Sequence, residues 1–277
     1  MGGPGITRLG AFAAACLALA ACGSVPEQPA TEATTFVSLN PCLDAILVEV
    51  AEPVQVLALS HYSRDPAASS MDVARAKQFG VTGGTAEEVI ALKPDVVLAS
   101  SFIDPATKSA LERAGMRVET FGSPGNVEAS LDQVRALATL TGQVGKGEKL
   151  AEAITTEPSQ PAVKGGSALL WQPGQIVGGE ASLVAEHLRW AGFTNYAEGH
   201  GMGQADHITL EQVLADPPDL LLVAGDSAGQ QHPLLRDPSL ATRIARFEPR
   251  LFYCAGPSIL AARERLVQIR ADMAGMP

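Results

Sequence analysis

Charge is scarce in this 277-residue chain, with 18% Asp, Glu, Lys and Arg against 46% hydrophobic residues, and no long block of like charge occurs. That balance suits a well-packed globular protein, and the length permits one or two domains. Basic residues are the scarcer sign, leaving a formal net charge of −10. A nucleic-acid role needs clustered Lys and Arg against phosphate, so this balance argues for no nucleic-acid partner. Metal motifs are lacking as well. His61, His187, His200, His207 and His232 form no H-E-x-x-H, and neither Cys42 nor Cys254 belongs to a C-x-x-C. No long apolar run is present either. The stretch from Leu9 to Ala21 is short of the roughly 20 residues that a membrane span needs.

That stretch follows a lone Arg8 and has the length of a secretory signal. Its end, Leu19-Ala20-Ala21-Cys22, resembles the bacterial lipobox, in which cleavage exposes a cysteine for acylation. A signal peptide is therefore expected over 1–21 and lipidation at Cys22, with an ordinary signal peptide as the alternative. Two or three acyl chains, at ~0.8 kcal/mol per buried CH₂, anchor a protein stably. Residues 22–35, rich in Pro, Thr and Glu, read as a flexible tether with little to bury. The expected location is the periplasmic side of a bacterial membrane, which is oxidising. Cys16 leaves with the signal and Cys22 is acylated, so Cys42 and Cys254 remain. Their pairing turns on how closely the fold brings their Cα atoms.

From Phe36 onward, short apolar runs alternate with helical patterns. Phe36–Leu39, Val54–Leu59, Asp95–Ala99 and Arg117–Phe121 read as strands, with helices over Leu43–Glu49, Ala86–Leu92 and Pro105–Ala114. Thr85 is placed to cap the second of these helices, with Glu87 and Glu88 in its dipole-favoured first turn. The second half repeats the logic. Strands are expected at Ala168–Trp171, Leu220–Ala224 and Leu251–Cys254, and helices at Ser182–Ala191, Thr209–Ala215 and Ser258–Ala274. Such alternation implies an α/β fold with parallel sheets covered on both faces. Val127, Leu131, Val134, Leu137 and Ala138 follow a helical stripe, weakened by Gly142, Gly145 and Gly147. The simplest architecture has two Rossmann-like lobes, 36–125 and 158–277, joined by one long helix over 126–157.

One motif points to an enzyme. Gly225-Asp226-Ser227-Ala228-Gly229 matches the G-x-S-x-G nucleophile elbow and follows an apolar run. An elbow needs a helix directly after its serine, and Pro233 blocks the interior of one. His232, the sole histidine after Ser227, stands too close in sequence to follow a separate acid-bearing strand. Binding is therefore the favoured reading over a Ser227 esterase, with no catalytic residues. A bare divalent metal ion held through His61 and neighbours such as His200 and Asp226 is a further alternative. Trp171 closes its strand and reads equally as core or as a ligand platform. Tyr62, in a polar loop, reads as a contact residue, and Cys42 as a small buried hydrophobe.

Several stretches in order resemble a known family. These are Val37-Ser-Leu-Asn-Pro41, Ala58-Leu-Ser-His-Tyr-Ser-Arg-Asp-Pro66 and Thr85–Leu98, then Gly178–Leu183, Trp190–Tyr196, Ile208–Leu214 and Asp219–Ala224. Together they are similar to the substrate-binding proteins of ABC importers for cobalamin and iron-siderophores, nearest to the vitamin B12 binders. The resemblance implies ligand capture between two lobes joined by a rigid helix, delivery to an ABC permease, and action as a monomer. It implies a corrinoid, a ferric siderophore or a similar metal chelate as ligand, with no resident cofactor. In such sheets ligands sit outside the carboxyl ends of the strands. The expected contacts are therefore Asn40, His61, Tyr62, Gly83, Gly84, Ser101, Phe102, Trp171 and Asp226. One surface glutamate per lobe docks the permease in this family, and the matching positions are Glu87 and Glu211. The chain departs from the B12 binders before the Thr85 helix, where Val81 or a neighbour replaces a tryptophan.

Overall fold

The computed structural model describes residues 1–3, 5, 33–156, 165–237 and 239–274. Cys22, nearly all of the expected signal and most of the tether lie outside the described residues. So do residues 157–164 between the halves.

Five short parallel strands build the first sheet: β1 (Phe36–Ser38), β2 (Val56–Ser60), β3 (Val81–Thr82), β4 (Val96–Ser100) and β5 (Arg117–Phe121). They stand in the order β3-β2-β1-β4-β5. Alternate residues of a strand face opposite sides, and here both sides are apolar. Phe36, Val96 and Leu98 pack toward α1 (Pro41–Val50) in one core cluster. Val37, Ala58 and Val97 form a second cluster with Val89 and Leu111. Those two partners come from α3 (Ala86–Leu92) and α4 (Pro105–Arg113); a single-turn helix, α2 (Val73–Ala76), precedes them. Thr85 caps α3 as expected, its side chain accepting from Glu88 N.

The segment expected to be one bridging helix is two. Helix α5 (Val127–Leu140) and helix α6 (Val144–Thr155) are separated by Gly142, whose φ of +72° a glycine adopts without strain. They pack closely because position 147 has no side chain; a Cβ there would stand 2.3 Å from the Ala138 Cβ. Leu131, Val134 and Leu137 of α5 and Ala151 and Ile154 of α6 all join the first-lobe core.

The second sheet is also parallel: β6 (Ser167–Trp171), β8 (Thr194–Asn195), β10 (Leu220–Val223) and β11 (Arg243–Arg246), ordered β11-β10-β6-β8. Beside it β7 (Ile176–Val177) and β9 (Asp206–His207) form an antiparallel ribbon. Leu170, Leu220 and Leu222 face α7 (Leu183–Trp190) and α10 (Ser258–Ala274), while Leu169 and Leu221 face α8 (Tyr196–Gly199) and α9 (Leu210–Ala215). The strand expected at Leu251–Cys254 is absent. Pro249–Leu251 is a 3₁₀ turn there, and the edge strand lies earlier, at Arg243–Arg246. Its alternation of half-buried and exposed residues, with two arginines, gives no apolar run to find.

Helix α10 reaches both cores. Ile259 in its first turn belongs to the first-lobe core, whereas Ala262, Leu266 and Ile269 belong to the second-lobe core. Among the described residues no helix is long and apolar enough to cross a membrane.

Candidate functional site: the cleft between the lobes

Strand order fixes where a ligand can sit. In the first sheet the chain runs from β1 outward through β2 to β3, then returns to the other side of β1 for β4 and β5. In the second, β8 lies on one side of β6 and β10 and β11 on the other. Crevices therefore open outside the carboxyl ends of β1 and β4 and of β6 and β10. A cleft of ≈ 720 Å³, open solvent at its mouth included, is lined from both lobes. The first lobe contributes Asn40, Ser100 and the Phe121–Gly125 loop, and the second contributes Ser182, Gln204 and the Phe252–Ala255 turn.

Asn40 is the expected contact that lines this cleft, and it also caps α1, its Oδ1 accepting from Cys42 N and Leu43 N at 2.8 and 3.2 Å. The others are not in its lining. His61 and Tyr62 open a 3₁₀ turn after β2, with ring centroids 4.0 Å apart and Tyr62 50% exposed. Phe102, after β4, is 83% exposed, and exposed Ser101 donates its N–H to Phe121 O. Gly83 N donates to Glu88 Oε2 at 2.6 Å, which leaves that amide engaged, while Gly84 turns the chain at φ +90°. Asp226 is exposed at the end of β10. Glu87 and Glu211 are exposed at matching positions, each the second residue of a helix capped by a threonine, Thr85 and Thr209. Hydrogen bonding to its own backbone N–H and to Thr209 holds Glu211 below the usual carboxylate range.

Trp171 corrects its expected role. It is 1% exposed and packs in the second-lobe core, where its Nε1 donates to Ile208 O at 3.1 Å. A strand's last residue can point inward as readily as outward, and the alternation through Leu169 places Trp171 inside. Sequence reasoning also missed Gln204 and Phe252–Tyr253. Tyr253 is 42% exposed beside the cleft. Reading Leu251–Cys254 as a strand hid these two aromatic residues, and the nearby Pro249 was the available signal of a turn.

Cys42 and Cys254 are joined by a disulfide, with Cα atoms 5.1 Å apart, and both line the cleft. The bond ties the first turn of α1 to the turn that precedes α10. Around it, Gly256 N donates to Ser130 Oγ at 2.8 Å and Cys254 N to Ser70 Oγ at 3.2 Å. A further tie crosses nearby, where Glu186 Oε2 accepts from Val127 N at 2.8 Å at the favourable end of α5.

Beneath the Tyr62 turn lies Asp44, fully buried. Its Oδ2 accepts from Ser60 N and Ser63 Oγ, while Oδ1 has no hydrogen-bond partner. Burial pushes this carboxyl up to about 7, against the opposing pull of the nearby Ser38 and Ser63 hydroxyls and the Ser60 N–H. His187, buried in α7 with both ring nitrogens unpartnered, is pushed down to about 3 by desolvation and then by the charge of Arg263.

The Gly225–Gly229 motif is a turn closed by an amide. Gln230 Oε1 accepts from Ser227 N and Oγ at 3.1 and 2.9 Å, and its Nε2 donates to Trp171 O and Ala224 O. His232 caps the following 3₁₀ turn instead, accepting from Leu234 N. Neither an elbow helix nor a Ser227–His232 hydrogen bond exists among the described residues. His200 is held by Asp216 at 2.8 Å and stacks on Tyr196, and no group of three or more His, Cys, Asp or Glu able to hold a metal forms among the described residues.

The model of the family described as "periplasmic binding protein" matches residues 36–245. The chain belongs to that family. It is accordingly a transport binding protein and not an enzyme. No characterised protein with a curated description matches the sequence. Solved structures of the same fold include the periplasmic haem-binding protein HutB of Vibrio cholerae, at 17% identity and TM-score 0.66, covering 85% of this chain and 98% of that one. The haem-binding protein RhuT from Roseiflexus sp. RS-1 is 21% identical with TM-score 0.61, over 86% and 99% of the two chains. The vitamin B12 binding protein BtuF of Vibrio cholerae is 16% identical with TM-score 0.59, over 88% and 99%.

Proposed function

We propose that this protein captures a bulky metal chelate between its lobes and delivers it to an ABC permease on the outer side of a bacterial cytoplasmic membrane. The candidates are a corrinoid, haem or a ferric siderophore. The observation that carries the reading is the cleft lined from both lobes, with Phe252 and Tyr253 in its wall; Tyr62 and Phe102 are exposed in first-lobe loops that follow strands. Large flat rings offer apolar area to aromatic side chains, and binding sites of this size are mostly apolar with a few fixed polar groups. Haem and vitamin B12 binders among the similar structures support the same class of ligand.

Delivery needs a docking surface on each lobe, and the symmetrically placed Glu87 and Glu211 supply one carboxylate apiece. Cys22 carries the lipid anchor and residues 22–35 the tether in this reading, so Cys22→Ala should release the protein from membranes. Ligand identity is tested by a thermal-shift screen of residues 33–277 against hydroxocobalamin, haemin, ferrichrome, Zn²⁺ and Mn²⁺. Binding stabilises by RT ln(1 + [L]/Kd), so a ligand at about 100 times its Kd contributes ~2.7 kcal/mol. A shift with one of the chelates supports the reading, whereas a shift with a bare ion alone replaces it with metal-ion capture.

A further inference from the structure

The disulfide is placed where a reagent entering the cleft can meet it. Cys42 is partly exposed at the cleft wall, while Cys254 is buried beneath the turn that carries Phe252 and Tyr253. Cys42 also occupies the first turn of the ten-residue α1, two residues after the cap Asn40. A thiolate in the first turn of a helix is stabilised by the dipole there, which favours the reduced form. Without the covalent bond, the turn would be held to the first lobe by the Ser70 and Ser130 hydroxyls and by Ala255, which packs in the same core cluster as Ile46.

We propose that Cys42–Cys254 is a redox-modification site, opened through the cleft by an external dithiol, and that its state decides how firmly the Phe252–Gly256 wall is held against the first lobe. A thiolate of the dithiol attacks the Cys42 sulfur. The electron pair of the S–S bond leaves with Cys254, which takes up a proton. The second thiol of the reagent then displaces Cys42 as thiolate and closes the reagent into its own disulfide. Two electrons pass to the protein, and the dithiol is the species oxidised. Because Cys42 forms part of the cleft wall, an occupant of the cleft covers the attacked sulfur. That last coupling rests on the capture reading above; the redox step does not.

The test is reduction of residues 33–277 by dithiothreitol under native conditions, followed by alkylation and mass spectrometry, with hydrogen exchange on the product. Both cysteines should be alkylated while circular dichroism stays native. Exchange at 252–256 should rise about tenfold while amides of β1 and β6 are unchanged. Reduction only after urea unfolding overturns the proposal, as does reduction that leaves exchange at 252–256 unaltered. Cys42→Ser with Cys254→Ser should reproduce the reduced pattern. If that variant does not fold, diamide reoxidation of the reduced wild type must restore protection at the wall. Hydroxocobalamin or haemin, whichever binds, should slow reduction at least about tenfold; binding without slowing removes the coupling between cleft and disulfide. The ligand-free measurements retain their meaning if neither binds, so failure of the capture reading is told apart from failure of the redox site.

Discussion

Ser63 Oγ donates a 2.6 Å hydrogen bond to the Oδ2 of Asp44, a carboxyl with no exposure to solvent. The acid is pushed up to about 7 from an ordinary 3.8 because burial penalises its charged form. The folded state therefore favours the proton. Its stabilising contribution is complete below pH ~4 and is lost as pH rises toward and through 7, up to an upper bound of about 4 kcal/mol. Asp44→Asn removes the ionisation, so its melting temperature should gain on wild type between pH 5 and pH 8. His187, kept neutral by burial, works with the opposite sign, losing stability as pH falls below 6.5, and is common to both proteins. A difference in melting temperature that does not change with pH would refute the raised acid.

Trp171 lies in the core with its indole N–H bonded to Ile208 O, so truncation should act on stability. Trp171→Ala should cost about 3–5 kcal/mol in urea unfolding. A cost under ~0.5 kcal/mol, typical of a surface position, would return Trp171 to the ligand platform.

Tyr62, Phe102 and Tyr253 should behave in the opposite way. Each single alanine substitution is expected to change stability by less than about 0.5 kcal/mol. For a chelate found by the screen, each should weaken affinity about 5- to 100-fold, in line with ~1–3 kcal/mol for an aromatic contact. Unchanged affinity in all three variants, by isothermal calorimetry, would place the ligand elsewhere.

Glu87→Ala with Glu211→Ala should abolish ligand-dependent stimulation of the permease ATPase and leave ligand affinity intact. Neither glutamate is in an ion pair among the described residues, so folding should not suffer. Full stimulation by the double variant would remove the docking role.

Where an element announces itself in consecutive residues, sequence and structure agree. The Thr85 cap, the apolar runs of β4 and β10 and the proline-bounded helix α4 are all legible, because caps and strand periodicity are local. The helical stripe after Asn126 was legible too, yet only Gly142 and the fit of Gly147 against Ala138 divide it in two. Of the cleft lining, Asn40 could be picked out because carboxyl ends of strands are readable in order. Gln204 and Tyr253 could not. Their presence at the cleft depends on a second lobe folding back, and no spacing along the chain encodes that approach.

The sequence by itself determined an α/β protein with two parallel sheets, a net charge of −10, and a G-x-S-x-G that lacks what an elbow requires. Each follows from composition, periodicity or a neighbouring proline, all of which act over a few residues. Tertiary structure alone decided that Cys42 meets Cys254, that α10 spans both cores, and that Trp171 turns inward while Tyr253 turns out. Those outcomes depend on which surfaces are buried together when the lobes close up, and burial is a property of the packed whole.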